Sequence, residues 1–263
     1  MIIIGEKLNS SIPKTLEAIN KQDFAYIVDL INRQTASGAE YLDINTALSG
    51  ENEINNMLKL IDLALENSAC GIMIDSPNPN VIIHCVPKIE NRKTIINSIT
   101  LDEKYDALIE IAKQYDTGLV CLPMKGNSIP STAEERFQNA QEIINKLRCA
   151  EIQDENIYID ILVEAIATNE NAAVVALKTI MLIKENFPKI NTICGLSNIS
   201  FGLPNRAKLN SAFLAMAMQN GLDSAIVDII SEDIKNALFA SNALIGKDEY
   251  CIEYINYSRQ LHS

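Results

Sequence analysis

Short apolar runs recur along the whole chain, and most of them stop at Glu, Asp or Asn. In order they are Ile2-Ile3-Ile4-Gly5-Glu6, Tyr41-Leu42-Asp43-Ile44-Asn45, Gly71-Ile72-Met73-Ile74-Asp75, Thr94-Ile95-Ile96-Asn97, Ile157-Tyr158-Ile159-Asp160, Thr192-Ile193-Cys194-Gly195-Leu196-Ser197-Asn198 and Ala225-Ile226-Val227-Asp228. An eighth, Gly118-Leu119-Val120-Cys121-Leu122, ends without a polar group. Continuous apolar runs this short predict strands covered on both faces, as in a parallel sheet. A polar residue at the C-terminal end of many such strands is how a parallel barrel assembles one shared site.

Between these runs lie segments of helical period. Phe24, Ile27, Val28 and Ile31 share one helical face, and Gly38 follows as a stop. Segments 52–66, 102–115, 169–186, 210–220 and 232–244 carry the same kind of pattern, and 78–88 carries a weaker one from Pro79. Thr100 precedes the third of these helices as a candidate N-cap, and Ser131 with Glu134 fits a capping box for a helix running to Cys149. Strand and helix alternate throughout, which predicts crossover helices over parallel strands. Eight such units predict an α/β fold of the TIM (β/α)8 type. The competing open sheet with a dinucleotide site needs a Gly-rich turn after the first strand. Glu6-Lys7-Leu8-Asn9 stands there instead.

Length agrees with this reading. The 263 residues are close to the roughly 250 of one barrel, and no Pro/Gly/Ser-rich linker or composition shift divides them, so residues 1–263 are expected to form a single domain. Charge narrows the partners. Lys+Arg 22 against Asp+Glu 34 gives −12, which argues against nucleic acid and anionic membranes while leaving room for a small anionic ligand at a local basic spot. The six cysteines form no C-x-x-C pair, and Cys121 and Cys194 fall inside strand runs as small core residues. Met1 leads directly into the first strand run, without a signal peptide, and no apolar stretch reaches the ~18 residues of a membrane helix. The expectation is a soluble cytoplasmic protein.

The strand ends are the candidate chemistry. Asp75 is either the N-cap of the next helix or a carboxylate accepting hydrogen bonds from a bound amine or ring N–H. Asp160 ends its strand in the same way. Across a barrel mouth the two could hold an amino-pyrimidine ring, act as an acid/base pair, or ligate a metal. Metal ligation is the weaker idea, because the two histidines, His84 in a helical segment and His262 at the terminus, are not at strand ends. His84 reads as a helix-surface or packing residue. Asn97 and Asn198 can donate and accept at once, which suits a heterocycle. Asn at a turn is usually structural, but 195–202 holds too many small and apolar residues for a surface turn.

These runs resemble a known family. Ile3-Ile4-Gly5-Glu6-Lys7-Leu8-Asn9, Leu42-Asp43-Ile44-Asn45, Ile74-Asp75-Ser76, Ile96-Asn97-Ser98, Tyr158-Ile159-Asp160 and the stretch from Gly195 to Arg206 are similar to the pterin-binding methyltransferases. That family includes methyltetrahydrofolate:corrinoid iron–sulfur protein methyltransferase and the folate module of cobalamin-dependent methionine synthase, with dihydropteroate synthase more distant. Gly-Leu-Ser-Asn-x-Ser followed closely by Asn-Arg is its specific part.

The resemblance implies a TIM barrel, usually a homodimer, that moves a methyl group between N5 of tetrahydrofolate and the cobalt of a corrinoid. By it, Asp75, Asn97 and Asp160 bind the amino-pyrimidine side of the pterin, and Asn198 sits near N5. Ser197, Ser200, Arg206, Glu6, Asp43 and Asn45 are expected around the same substrate. The corrinoid is expected on a separate partner protein, since the chain lacks Asp-x-His-x-x-Gly. Arg206, Lys208 and Lys125 are candidates for the folate glutamate tail or the partner, with solvated surface charge as the plainer reading of the two lysines. Two departures stand out: Ile161 where many relatives have Pro, and Gly202-Leu203-Pro204, a variant associated with methyltransferases of demethylating systems as much as with those of acetyl-CoA synthesis, so the resemblance implies no direction of transfer. The rivals are a dihydropteroate synthase-like condensing enzyme, which needs a basic pyrophosphate cluster, and a non-catalytic folate-binding subunit of a corrinoid complex.

Overall fold

The computed structural model describes residues 1–89, 91–126 and 128–260. Eight parallel strands close into a barrel in chain order: β1 (Ile2–Asn9), β2 (Tyr41–Asn45), β3 (Gly71–Asp75), β4 (Thr94–Ile99), β5 (Gly118–Cys121), β6 (Ile157–Asp160), β7 (Asn191–Gly195) and β8 (Ser224–Val227), with β1 paired to both β2 and β8. Around them run α1 (Pro13–Lys21), α2 (Phe24–Ala36), α3 (Glu53–Asn67), α4 (Pro79–Cys85), α5 (Asp106–Tyr115), α6 (Ala133–Cys149), α7 (Ala172–Asn186), α8 (Arg206–Gln219), α9 (Glu232–Leu244) and α10 (Ile252–Gln260). The TIM-type expectation holds. Among the described residues no helix is long and apolar enough to cross a membrane.

Two separate apolar layers explain why the strands read as continuous apolar runs. Successive strand side chains point to opposite faces. One face packs under the helices, where Ile3, Leu42, Ile44, Ile72, Ile74, Ile96, Leu119, Ile159 and Cys194 join the large outer core. The other fills the barrel interior with Ile4, Tyr41, Met73, Ile95, Val120, Tyr158 and Ile193, and Ile2 and Ile226 pack against them. Cys121 and Cys194 are fully buried in the outer layer, as expected of core thiols.

The strand β1 runs to Asn9, beyond the Glu6 where its apolar run stops, and its register against β2 shifts between Gly5 and Leu8. A buried glutamine holds this irregularity. Gln34 of α2 accepts the Lys7 N–H at 2.9 Å. Gly5 is glycine because a Cβ there would lie 2.8 Å from Gln34 Cδ. The shift lets both Glu6 and Lys7 reach the mouth of the barrel.

Several helix boundaries differ from the periodicity. The capping box uses Thr132 with Glu135, one residue later than Ser131 with Glu134; Glu135 also accepts from Ser131. Thr100 accepts the Asp102 N–H at 3.1 Å, but this opens a 3-10 turn over Glu103–Tyr105 before α5 begins at Asp106. Helix α7 begins at Ala172 and α8 at Arg206. Helices α1 and α10 were not read from periodicity: the first is only 9 residues long, and the second leaves Tyr257 as its buried residue.

Candidate active site

The interior positions build the site by simple register. Two residues beyond each interior apolar side chain, the next inward position arrives at the C-terminal mouth. Ile4 leads to Glu6, Tyr41 to Asp43, Met73 to Asp75, Ile95 to Asn97, Tyr158 to Asp160, Ile193 to Gly195 and Ile226 to Asp228. On β5 the same step from Val120 reaches Leu122, so β5, with Leu122, and β7, with Gly195, leave gaps in the polar ring. The mouth opens into a cavity of ≈ 740 Å³ lined by Glu6, Asp43, Asp75, Asn97, Asp160, Gly195, Ser197, Asn198 and Arg206, among others. Eight of the ten residues expected at the site therefore meet in one cavity.

The cavity has two sides of different character. Around β2, β3, β4 and β6 it presents acceptors. Asp75 accepts from Asn45 Nδ2 at 2.9 Å through Oδ2. Asp160 accepts the Leu162 N–H at 2.7 Å through Oδ1. In each case the other oxygen has no protein partner among the described residues. Asn97 donates only a long contact to Met73 Sδ, at 3.7 Å. Burial pushes both Asp75 and Asp160 up to about 6, against the opposing hydrogen bonds of Asn45 and of Leu162. Asp43 lies deeper; burial and then the Asp75 charge hold it well above the carboxylate range, and its Oδ1 is a buried acceptor with no partner. With Asp75 and Asp160 pushed up to about 6, these two carboxyls can accept from N–H donors or share a proton with a ligand.

Around β7, β8 and β1 the cavity carries the cations. Lys7 pairs with Asp228 at 2.6 Å. Ser197 Oγ donates to the Glu6 carboxylate at 2.8 and 3.1 Å. Arg206 donates from Nε to Ser200 Oγ at 3.1 Å and from Nη2 to the Ser197 carbonyl at 2.7 Å. Burial raises Glu6, partly offset by the Ser197 hydrogen bond. The chain beyond β7 does not stay a strand: Leu196–Ser200 winds into a 3-10 turn whose exposed member is Asn198. The Asn198 side-chain amide bonds no protein group among the described residues. A Cβ at Gly195 would come within 3.3 Å of its Nδ2, so the glycine leaves that amide room.

Two expected residues stand behind the lining. Asn45 braces Asp75 and also accepts from Ser10 Oγ and the Ala47 N–H. Ser200 is fully buried beneath the turn, where it accepts from Arg206. The N-cap of α4 is Asn78, which leaves Asp75 free for the cavity. Lys125 and Lys208 lie in surface pairs with Glu142 at 2.8 Å and Asp233 at 2.6 Å. His84 is exposed on α4 with Nδ1 2.7 Å from the Asn80 carbonyl, and His262 lies outside the described residues. Among the described residues no group of His, Cys, Asp and Glu is arranged to hold a metal ion.

Lys7, Asn9, Ile12, Pro13 and Phe201 also line the cavity and were not singled out for it from the sequence. Lys7 follows Glu6 and would face away on a regular strand; only the register shift brings it in. Asp228 was legible as a strand-end Asp, and its pairing with Lys7 is what ties β8 into the site.

Comparison with known proteins points in one direction. The family model "Pterin binding enzyme" matches residues 5–228. A methylcorrinoid:tetrahydrofolate methyltransferase of Eubacterium limosum is 33% identical over 263 residues, covering 99% of this chain and 97% of that protein. The methionine synthase of Mycobacterium leprae is 30% identical over 241 residues, 86% of this chain and 20% of that longer protein. Among solved structures, dihydropteroate synthase from Xanthomonas albilineans in complex with 7,8-dihydropteroate has a TM-score of 0.70 at 17% identity, covering 92% of this chain and 93% of that one. The dihydropteroate synthase of Coxiella burnetii in complex with pteroic acid has a TM-score of 0.64 at 20% identity, covering 92% and 93%. At these identities the structural likeness is one of fold.

Proposed function

The chain belongs to the pterin-binding enzyme family, and from that membership we propose that it is a methyltransferase moving a methyl group between N5 of tetrahydrofolate and the cobalt of a corrinoid protein. The full-length similarity to a methylcorrinoid:tetrahydrofolate methyltransferase supports the reaction. The observation that carries it at the site is the unpartnered Asn198 amide, held over the same cavity as Asp75, Asn97 and Asp160.

In this reading Asp75, Asn97 and Asp160 receive the amino-pyrimidine side of the pterin. A carboxylate only accepts, and a ring amidine edge mainly donates, so the two match. Asp43 and Asn45 brace that side, and Glu6, Ser197, Ser200 and Arg206 shape the opposite wall. Asn198 hydrogen-bonds N5. An amine is a poor leaving group until N5 gains a proton or a strong hydrogen bond. An amide is not itself an acid at neutral pH, but it can rotate between donating to a bare nitrogen and accepting from a protonated one. The remaining groups hold the methyl carbon in line for transfer, and that orientation lowers the barrier. The cobalt accepts or supplies the methyl group, so no protein nucleophile is required. Burial raises the Cys121 and Cys194 thiols far above their usual range, which makes them poor methyl carriers.

Residues 1–263 act as one pterin-binding barrel domain. The corrinoid arrives on a separate protein that docks over the mouth. The enzyme is a homodimer, supported by Val174, Met181, Met216 and Leu244, large apolar side chains exposed on α7, α8 and α9. It works in the cytoplasm, which suits its six free cysteines.

The test is anaerobic spectroscopy of cob(I)alamin with 5-methyltetrahydrofolate and the protein, then methylcobalamin with tetrahydrofolate. Conversion in either direction establishes the reaction. Folate binding without conversion, even with candidate corrinoid proteins, refutes catalysis and leaves a binding subunit. Absence of folate binding removes the pterin reading altogether.

A further inference from the structure

Among the described residues the largest fully buried side chain is an arginine, Arg136 of α6. A buried charge is kept in a fold only when it is paired and its donors are satisfied. Arg136 meets this condition with partners that all lie on two loops at the mouth of the barrel. Its Nε donates to the Pro130 carbonyl at 3.0 Å. One terminal nitrogen, Nη1, donates to the carbonyls of Ile161 at 2.9 Å and Leu162 at 2.7 Å. The other, Nη2, pairs with Glu164 at 2.6 Å. A guanidinium has five N–H donors in a rigid planar fork, which is what one side chain needs to reach four acceptors at once.

Ile161 and Leu162 are the two residues that follow Asp160. Leu162 holds a left-handed backbone, φ +54°, which a branched residue seldom adopts without support. That conformation aims the Leu162 N–H back at Asp160 Oδ1, at 2.7 Å. One carboxylate oxygen is thereby occupied and the other is left for the cavity. We propose that Arg136 is a positioning residue: by clamping the 161–162 turn from beneath, it fixes which oxygen of Asp160 is offered to the ligand and in what direction. Arg136 does not line the cavity, so its effect on the ligand passes through Asp160. The same guanidinium joins the loop before α6 to the loop after β6 and so ties the two rims of the mouth together. Its charge also favours the ionised form of Asp160 against the effect of burial.

The consequence for ligand affinity rests on the pterin-binding reading; the clamp itself does not. The test therefore reads both in the full chain. Amide hydrogen exchange at Leu162 reports the clamp with no ligand present. In Arg136→Met it is expected to rise ~10- to 100-fold, the loss of one to two charge-assisted hydrogen bonds, while amides in β2 and β3 keep their protection. Arg136→Lys keeps the charge but offers a single point of donation, so it is expected to restore part of that protection. Unchanged Leu162 exchange in Arg136→Met, or full restoration by Lys, overturns the clamp. Should Arg136→Met not fold, Glu164→Gln on the partly exposed partner weakens one arm and is expected to raise Leu162 exchange ~2- to 5-fold; no rise overturns the proposal. For affinity, a cycle with Asp160→Asn separates positioning from general damage. The Arg136→Met loss in 5-methyltetrahydrofolate affinity is expected to be absorbed in the Asp160→Asn background, leaving the double variant within ~3-fold of Asp160→Asn alone. Fully additive losses overturn action through Asp160. Failure of the unaltered protein to bind folate removes the pterin reading, while the exchange result still decides the clamp.

Discussion

Replacing Asp160 by Asn should make this protein more stable at neutral pH and worse at its task. The carboxyl is driven from the ordinary 3.8 up to about 6 by burial. A shift of roughly two units corresponds to on the order of 3 kcal/mol of preference for the protonated form in the folded state. Because the folded value is raised, that stability is fully present below about pH 4 and is lost as pH rises through 6. At pH 7.5 the unliganded protein therefore carries a buried carboxylate at that net cost, which already includes the relief given by the Leu162 hydrogen bond and the Arg136 charge. Asparagine is nearly the same shape, is neutral, and its Oδ1 can still accept the Leu162 N–H that now lies at 2.7 Å. Urea unfolding at pH 7.5 should show Asp160→Asn gaining ~1–3 kcal/mol over the unaltered protein, and at pH 4.5 the gain should largely vanish. The same substitution removes a charged acceptor for the pterin edge. Titration with 5-methyltetrahydrofolate at pH 7.5 should show ~10- to 150-fold weaker binding, the worth of one hydrogen bond to a charged group. A variant less stable than the parent at pH 7.5 would refute the burial argument, and unchanged affinity would take Asp160 out of the site.

The remaining expectations are simpler. Asn198→Ala should slow methyl transfer by ~10²- to 10³-fold in single-turnover kinetics, with the folate dissociation constant changed far less, because in the proposed mechanism its bond to N5 strengthens as the reaction proceeds; equal losses in both would make it an ordinary binding residue. Gly71→Ala at the opposite end of the barrel should cost ~1–3 kcal/mol in urea unfolding, since its Cβ would strike the Tyr41 ring and lie 2.8 Å from the Lys93 carbonyl; a neutral result would mean that the barrel floor yields easily. Under native conditions, Ellman's reagent should label Cys149 and Cys251 quickly and the four buried cysteines only on unfolding. Rapid labelling of Cys121 or Cys194 would contradict their burial.

Much of this was legible in the chain. Eight apolar runs separated by helical periods specified the barrel, since continuously apolar strands need cover on both faces. The polar residue ending most of these runs marked the cavity, because parity carries every second side chain into the interior and the last of them to the mouth. Asp75, Asn97 and Asp160 follow from that rule alone. The 195–206 stretch was recognisable by its small and apolar residues, although its 3-10 conformation was not. What escaped depended on contacts distant in sequence. Lys7 belongs to the site because Gln34, 27 residues away, holds a register shift in β1. Arg136 reads as an ordinary polar position in an amphipathic helix, and nothing in its neighbourhood announces that it is fully buried against the turn that follows Asp160.

By itself, then, the sequence determined the architecture and the list of inward polar groups, because hydrophobic period and strand parity are local properties. The tertiary structure decided which of those groups face the cavity and in what state. Asn45 and Ser200 stand behind the lining and brace it, while the Asn198 amide is left without a protein partner among the described residues. Burial, which no single residue carries in its own letter, moved Asp75 and Asp160 up to about 6. Desolvation and long-range hydrogen bonds exist only once the barrel has closed, and they turn a ring of strand ends into a site with chemistry.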